Sequence, residues 1–137
     1  MTNNKIVILT GGTGGHVIPA LNFGNYLISK GYNCTLLLDK RGIKYASNFK
    51  GKKIIINSAH FSGNYLFIIN SAFILLYGLF QSFFHLFVMR PKHCIAFGSY
   101  ATFMPLIAAT VLRIFGFTTI HLHEQNSIIG KVNLFYL

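Results

Sequence analysis

Four glycines within five residues, Gly11-Gly12-Thr13-Gly14-Gly15, lie between Thr10 and His16, directly after the apolar run Ile6-Val7-Ile8-Leu9. Val17-Ile18-Pro19-Ala20-Leu21 then reads as a helix opening, with proline in the first turn, where its missing N–H costs nothing. A helix N-terminus presents unpaired N–H groups and partial positive charge, and glycine lets an anion approach that backbone closely. The chemistry expected here is binding of a phosphate or diphosphate. His16 is the one titratable side chain in the loop, and an imidazole with a pKa near 6.5 can accept a proton at neutral pH.

Two more loops carry polar residues behind apolar runs: Gly98-Ser99-Tyr100 and His123-Glu124-Gln125-Asn126. Dinucleotide binding competes with the phosphate reading, because Asp39 ends a second apolar run where a ribose-binding acid would stand. The spacing argues against it. G-x-G-x-x-G begun at Gly12, and T-G-x-x-x-G-x-G begun at Thr10, both need glycine at the position of Val17. G-x-x-x-x-G-K-[ST] fits nowhere. His121 and His123 fall on one side of a strand as a candidate metal pair, but with no third ligand in view no metal is expected.

These loops need a scaffold, and the periodicity supplies one. Strands are expected over about 5–10, 34–38, 53–57, 93–97 and 118–122, with helices over about 17–30 and 103–115 and a short one near 43–49. Gly31 suits the end of the first helix. Alternating strands and helices mean right-handed crossovers and a parallel sheet with helices on both faces. Ligands of such sheets sit beyond the carboxyl ends of the strands, where all three loops fall. The expectation is a single α/β, Rossmann-like domain over 1–137.

Twelve Lys and Arg against two acids give a formal charge of +10, and six of the twelve lie between Lys40 and Lys53. Such a segment is either a solvated loop face or a patch drawn to anionic headgroups at about 1 kcal/mol per basic residue. No nucleic-acid motif accompanies it, so no nucleic-acid partner is expected. Cys34 and Cys94 stand in apolar runs without C-x-x-C spacing, which points to buried, reduced thiols and the cytosol. The apolar run after Lys5 is too short for a signal peptide.

Tyr65 to Met89 runs for 25 residues without a charged side chain, long enough to cross a bilayer. On a helical wheel Asn70, Ser71, Gly78, Gln81, Ser82 and His85 gather within about 120°. The remaining arc is apolar and wider than one sheet can cover. The readings are a helix lying in a membrane interface, an ordinary crossover helix, or a span that would interrupt the sheet.

Gly11 to Leu21 resembles the first glycine loop of the MurG family of bacterial N-acetylglucosaminyltransferases. Phe97-Gly98-Ser99-Tyr100 resembles its second glycine loop, and His123 to Lys131 its H-E-Q-N segment. The resemblance implies the N-terminal half of a GT-B glycosyltransferase, the acceptor- and membrane-side domain, with the carboxyl-terminal donor domain absent from this chain. It implies transfer of N-acetylglucosamine from UDP-GlcNAc to the 4-hydroxyl of an undecaprenyl-diphosphate-linked muramoyl-pentapeptide, with inversion and no cofactor. The location implied is peripheral, at the cytoplasmic face of the bacterial inner membrane.

Carried onto this sequence, the catalytic candidate is His16, read as the general base; a helix-capping or phosphate-binding role is the alternative. Substrate-binding candidates are Gly11, Gly12, Thr13, Gly14, Gly15, Gly98, Ser99, Tyr100, Glu124, Gln125 and Asn126. Tyr100 and Asn126 are expected to hydrogen-bond sugar or phosphate, and Glu124 and Gln125 to position the loop or the acceptor hydroxyl. Glu124 could also orient His16 or cap a helix. Ser99 stands where the family usually has glycine, which is expected to restrict the backbone and weaken a phosphate contact. A separate C-terminal-domain chain is a candidate partner. A non-catalytic membrane-bound subunit that binds lipid-linked diphosphate and docks a catalytic chain, or an inactive truncated fragment, are the alternatives.

Overall fold

The computed structural model describes residues 3–59 and 63–123. Five strands are built from the apolar runs: Lys5–Leu9 (β1), Asn33–Leu38 (β2), Lys52–Ile55 (β3), His93–Ala96 (β4) and Thr119–Leu122 (β5). All neighbours pair in parallel, in the order β3-β2-β1-β4-β5. Strand order therefore reverses between β1 and β4, the place where such sheets open a crevice at their carboxyl edge.

Alternation along β1 divides the core. Ile6 and Ile8 face a cluster with Val17, Leu21, Leu36 and Phe49; Val7 and Leu9 face another with Leu86, Leu106, Ala109 and Leu112. Helix Gly14–Ser29 (α1) covers the first face, while Tyr65–Met89 (α2) and Phe103–Ile114 (α3) cover the second. Helices on both faces explain why the central strands read as unbroken apolar runs.

The helices end where the sequence directs. Gly31 (φ 91°) receives the chain after α1, its N–H bonded to the Ile28 carbonyl and the next N–H, Tyr32, to Leu27. Gly116 (φ 75°) repeats the arrangement after α3, through Arg113 and Leu112. Both are Schellman ends, which need a residue tolerant of positive φ. On α3 the buried residues Pro105, Leu106, Ala108, Ala109 and Leu112 follow helical spacing, giving one apolar stripe against the sheet.

Helix α2 is docked the other way round. Its buried residues are Ser71, Leu75, Gly78, Ser82 and Leu86, so much of the polar arc faces the protein. The wide apolar arc faces outward, with Phe67, Phe73, Tyr77, Phe80, Phe84 and Val88 all exposed. Gly78 permits this inversion. A Cβ there would stand 2.1 Å from the Asn57 carbonyl oxygen, so only glycine lets the helix come this close. Gln81 adds a side-chain oxygen that accepts from both Asn57 N–H groups, at 3.0 and 3.1 Å.

Some boundaries move. α1 begins at Gly14 rather than near Val17, which puts Pro19 in its second turn. The first turn of the helix therefore begins with the glycines themselves. The short helix expected near 43–49 is a single 3₁₀ turn, Ile43–Tyr45. β3 ends at Ile55; the Ile56 N–H still bonds the Leu38 carbonyl, and the Asn57 N–H, on the open edge, bonds Gln81 Oε1.

Candidate functional site

The first glycine loop is shaped by two residues at positive φ, Gly11 (154°) and Gly12 (78°). Gly11 is also the tightest: a Cβ would lie 2.6 Å from Ala101 Cβ and 2.8 Å from Asp39 Oδ1. A Cβ on Gly12 would meet nothing nearer than 3.9 Å, so glycine there serves the turn and leaves open space above it. Thr13 is the helix N-cap by backbone alone: its carbonyl accepts from His16 and Val17, and its side chain makes no capping bond.

Asp39 holds this loop. Its carboxylate, on a 3 % exposed residue, accepts from the Gly12 N–H at 2.8 Å and the Gly42 N–H at 3.0 Å, and from Arg41 Nε at 3.0 Å. The Ser58 hydroxyl donates from 3.4 Å. Burial alone would raise the pKa of this carboxyl. The N–H of Gly12, the Arg41 guanidinium and the N–H of Gly42 outweigh burial and hold it below the ordinary value. Asp39 is thus a clamp on the loop rather than a ligand for a ribose, which accords with the failed dinucleotide spacing. Sequence reasoning missed this role; the signal was one acid, at a strand end, in a chain with only two.

The second glycine loop enters beside the first because β4 pairs with β1. The Phe97 N–H bonds the Leu9 carbonyl, and Gly98 turns the chain at φ 63°. Ser99 is extended (φ −168°, ψ 167°), a conformation open to any residue, so serine in place of glycine brings no backbone restriction. Its hydroxyl instead accepts from the Ala101 N–H and starts the 3₁₀ turn Tyr100–Thr102, with the buried Thr102 hydroxyl closing a reciprocal cap. The Tyr100 side chain is exposed at the rim.

His16 is the link between the loops. Its Nδ1 lies 3.0 Å from the Phe97 carbonyl oxygen. A carbonyl only accepts, so Nδ1 carries the proton, and in the neutral ring the lone pair belongs to Nε2. The ring stands half-buried on α1, its orientation set by the hydrogen bond on Nδ1.

His123 begins the third loop with its N–H on the Ala96 carbonyl and its ring 4.6 Å from that of Phe97. Glu124, Gln125 and Asn126 lie outside the described residues. The pairing of His121 with His123 is not what the fold produces. His121 Nε2 meets His93 Nδ1 across the β4–β5 pair at 3.1 Å, because residues two apart on the same face neighbour the adjacent strand. All three imidazoles line an apolar cavity of about 560 Å³ beside α1, with Phe23, Leu27 and Phe97. Among the described residues no three metal-ligating side chains converge.

A parallel 3-2-1-4-5 sheet with glycine loops meeting at its switch point defines the Rossmann-like α/β class that glycosyltransferases of the GT-B type use for their N-terminal halves. The crystal structure of MurG from Acinetobacter baumannii has this fold, with a TM-score of 0.81 at 23% identity over 96% of this chain and 38% of that one. CalG4, the calicheamicin glycosyltransferase, is a more distant likeness, with a TM-score of 0.63 at 13% identity over 96% of this chain and 33% of that one. The chain belongs to glycosyltransferase family 28: the family's N-terminal domain matches residues 6–136.

Among relatives, a protein of Wolbachia sp. subsp. Drosophila simulans (strain wRi) is 39% identical over 135 residues. A protein of Anaplasma marginale (strain St. Maries) is 34% identical over 131 residues. Both are named UDP-N-acetylglucosamine–N-acetylmuramyl-(pentapeptide) pyrophosphoryl-undecaprenol N-acetylglucosamine transferase. The match covers 96% of this chain and 35% of the Wolbachia protein, and 94% and 36% for the Anaplasma pair, so this chain spans about a third of their length.

Proposed function

We propose that this chain is the acceptor-side domain, over 1–137, of an inverting N-acetylglucosaminyltransferase. The acceptor is a muramoyl-pentapeptide carried on undecaprenyl diphosphate, the donor is UDP-GlcNAc, and the product is a peptidoglycan precursor. The observation that carries this reading is the His16–Phe97 hydrogen bond, which fixes a basic nitrogen between two glycine loops at the switch point of the sheet.

In this reading the loops Gly11 to Gly15 and Gly98 to Tyr100 receive the acceptor's diphosphate through backbone N–H groups other than those of Gly12 and Ser99, which Asp39 and Thr102 hold. His16 Nε2 takes the proton of the sugar 4-hydroxyl as its oxygen attacks the anomeric carbon of N-acetylglucosamine. The bond to UDP breaks on the opposite side, which inverts that carbon. Donor binding belongs to the remaining two thirds of the relatives' length, as does any residue that stabilises the leaving diphosphate.

Attachment to the membrane is the second part of the reading. Residues 65–70, the first turns of α2, are all exposed, and the outward arc continues to Val88. Ile114, Phe115 and Phe117 extend the apolar surface from the end of α3. The Arg90 guanidinium lies 5.4 Å from the Phe87 ring and 5.2 Å from Phe117, a cation at the border of the apolar face, with Lys92 close behind in sequence. An apolar helix face bordered by cations suits the acyl–headgroup boundary of an anionic membrane, and would hold the domain where its lipid-linked acceptor resides.

The test is a chimera in which this chain replaces the matching third of the Wolbachia relative. Transfer of radiolabelled N-acetylglucosamine from its UDP carrier to lipid-linked acceptor in membranes supports the proposal. A folded, membrane-bound chimera without transfer refutes the catalytic part and leaves a diphosphate-binding subunit as the reading.

A further inference from the structure

Asp39 and Gly42 close a tight turn that packs directly on the first glycine loop. The Gly42 N–H bonds the Asp39 backbone carbonyl at 3.1 Å as well as its carboxylate, and a Cβ at Gly42 would stand 3.1 Å from Gly11 Cα. Arg41 rides on this turn. Its Nε is held by Asp39 Oδ2, yet 52% of its side chain is exposed, against 4% for that of Asp39. One edge of the guanidinium is therefore anchored, while the other remains toward solvent.

That other edge has a direction. Arg41 Nη2 lies 3.9 Å from the point where a Gly12 side chain would begin, and Ser99 Oγ of the second loop lies 4.0 Å from the same point. A cation and a hydroxyl from separate loops thus border the open space over Gly12. At the base of the loop the Thr10 hydroxyl, 1% exposed, has no hydrogen-bond partner among the described residues.

We infer that Arg41 is the cationic arm of this site, binding a diphosphate ester over Gly12 with the Ser99 hydroxyl as a second donor. The inference rests on the glycine loops being the anion site proposed above. Arginine suits the task because its planar fork serves two oxygen-bearing partners at once, Asp39 on one edge and a phosphate on the other. Asp39 takes the Nε edge of Arg41 together with two main-chain N–H groups, so what the arm offers a phosphate is the directed Nη2 donor edge rather than a net charge. No other acid lies among the described residues.

Titration of the ¹⁵N-labelled chain with inorganic pyrophosphate, read at the Gly12 to His16 amides, tests this. Wild type is expected to shift at those amides. Arg41→Ala should weaken the titration by about tenfold, as for a lost charged hydrogen bond. Arg41→Lys, which keeps the contact to Asp39 but not the fork, should fall between with an unchanged melting temperature. Equal affinity in wild type and Arg41→Ala overturns the role of Arg41 while leaving the loop as the anion site. No shift at these amides in wild type overturns both. If Arg41→Ala fails to fold, Arg41→Lys decides: wild-type affinity overturns the inference, and weaker binding supports it. Repeating the titration with farnesyl diphosphate and with UDP identifies the source, since the tighter ligand shows whether a lipid or a nucleotide diphosphate occupies the arm.

Discussion

His16 Nδ1 stands 3.0 Å from the main-chain oxygen of Phe97, joining the helix that follows β1 to the loop that follows β4. Because the orienting group is a main-chain carbonyl, no side-chain substitution removes it. His16→Ala in the chimera should lower turnover by about a hundredfold or more, the usual cost of a lost general base. His16→Gln, which keeps a donor but has no titratable nitrogen, should fall as far. Near-normal turnover in either variant would end the base assignment.

Gly11 offers a sharper structural test. Alanine there must adopt φ 154° and place its Cβ 2.6 Å from Ala101. Both loops would have to part, so Gly11→Ala should lower stability by about 1–3 kcal/mol. Gly31→Ala, at an exposed site with no neighbour within 4 Å, carries only the strain of its left-handed backbone and should lose about 1 kcal/mol. Urea unfolding of the two variants gives the comparison.

The Asp39 clamp predicts a pH dependence. Its carboxyl ionises more readily folded than unfolded, because the hydrogen bonds from Gly12, Arg41 and Gly42 outweigh burial. The resulting stability is present above the ordinary value of 3.8 and is lost as pH falls through the lower folded value. Asp39→Asn should therefore cost about 1–3 kcal/mol at neutral pH, with the gap to wild type narrowing in acid. Thermal melts across that range read it directly.

On α2 the two faces should respond oppositely. Phe80→Ser with Phe84→Ser changes exposed residues, so melting should hardly move while sedimentation with anionic liposomes weakens. Gly78→Ala should do the reverse and destabilise the fold, since its Cβ would strike the Asn57 carbonyl. Loss of stability in the phenylalanine pair would show that this face is covered by protein.

Cys34 and Cys94 should be inert in the native chain. Burial pushes both thiols up to about 11, so neither forms appreciable thiolate at neutral pH. A thiol reagent should label them only as the protein unfolds, at a rate that follows urea concentration.

The elements were legible because strands, helix stops and glycine loops are local matters. An apolar run of four to six residues, or a glycine after a helix, carries its meaning within a few positions, as Gly31 and Gly116 show. The polar arc of α2 was equally visible, and so was an apolar arc too wide for one sheet. Its docking was not. Which arc faces inward depends on Asn57, whose carbonyl and amide suit a glycine and a glutamine better than a row of phenylalanines.

The glycine loops and the parallel α/β class were thus determined by the chain itself, since both follow from residue type and spacing. Only the assembled sheet decided who serves those loops. Pairing β4 with β1 brings the Phe97 carbonyl to His16, and pairing β2 with β1 brings Asp39 and Arg41 to Gly12, 27 residues away from Asp39 in the chain. Contacts of that span depend on strand order, and no local pattern encodes strand order.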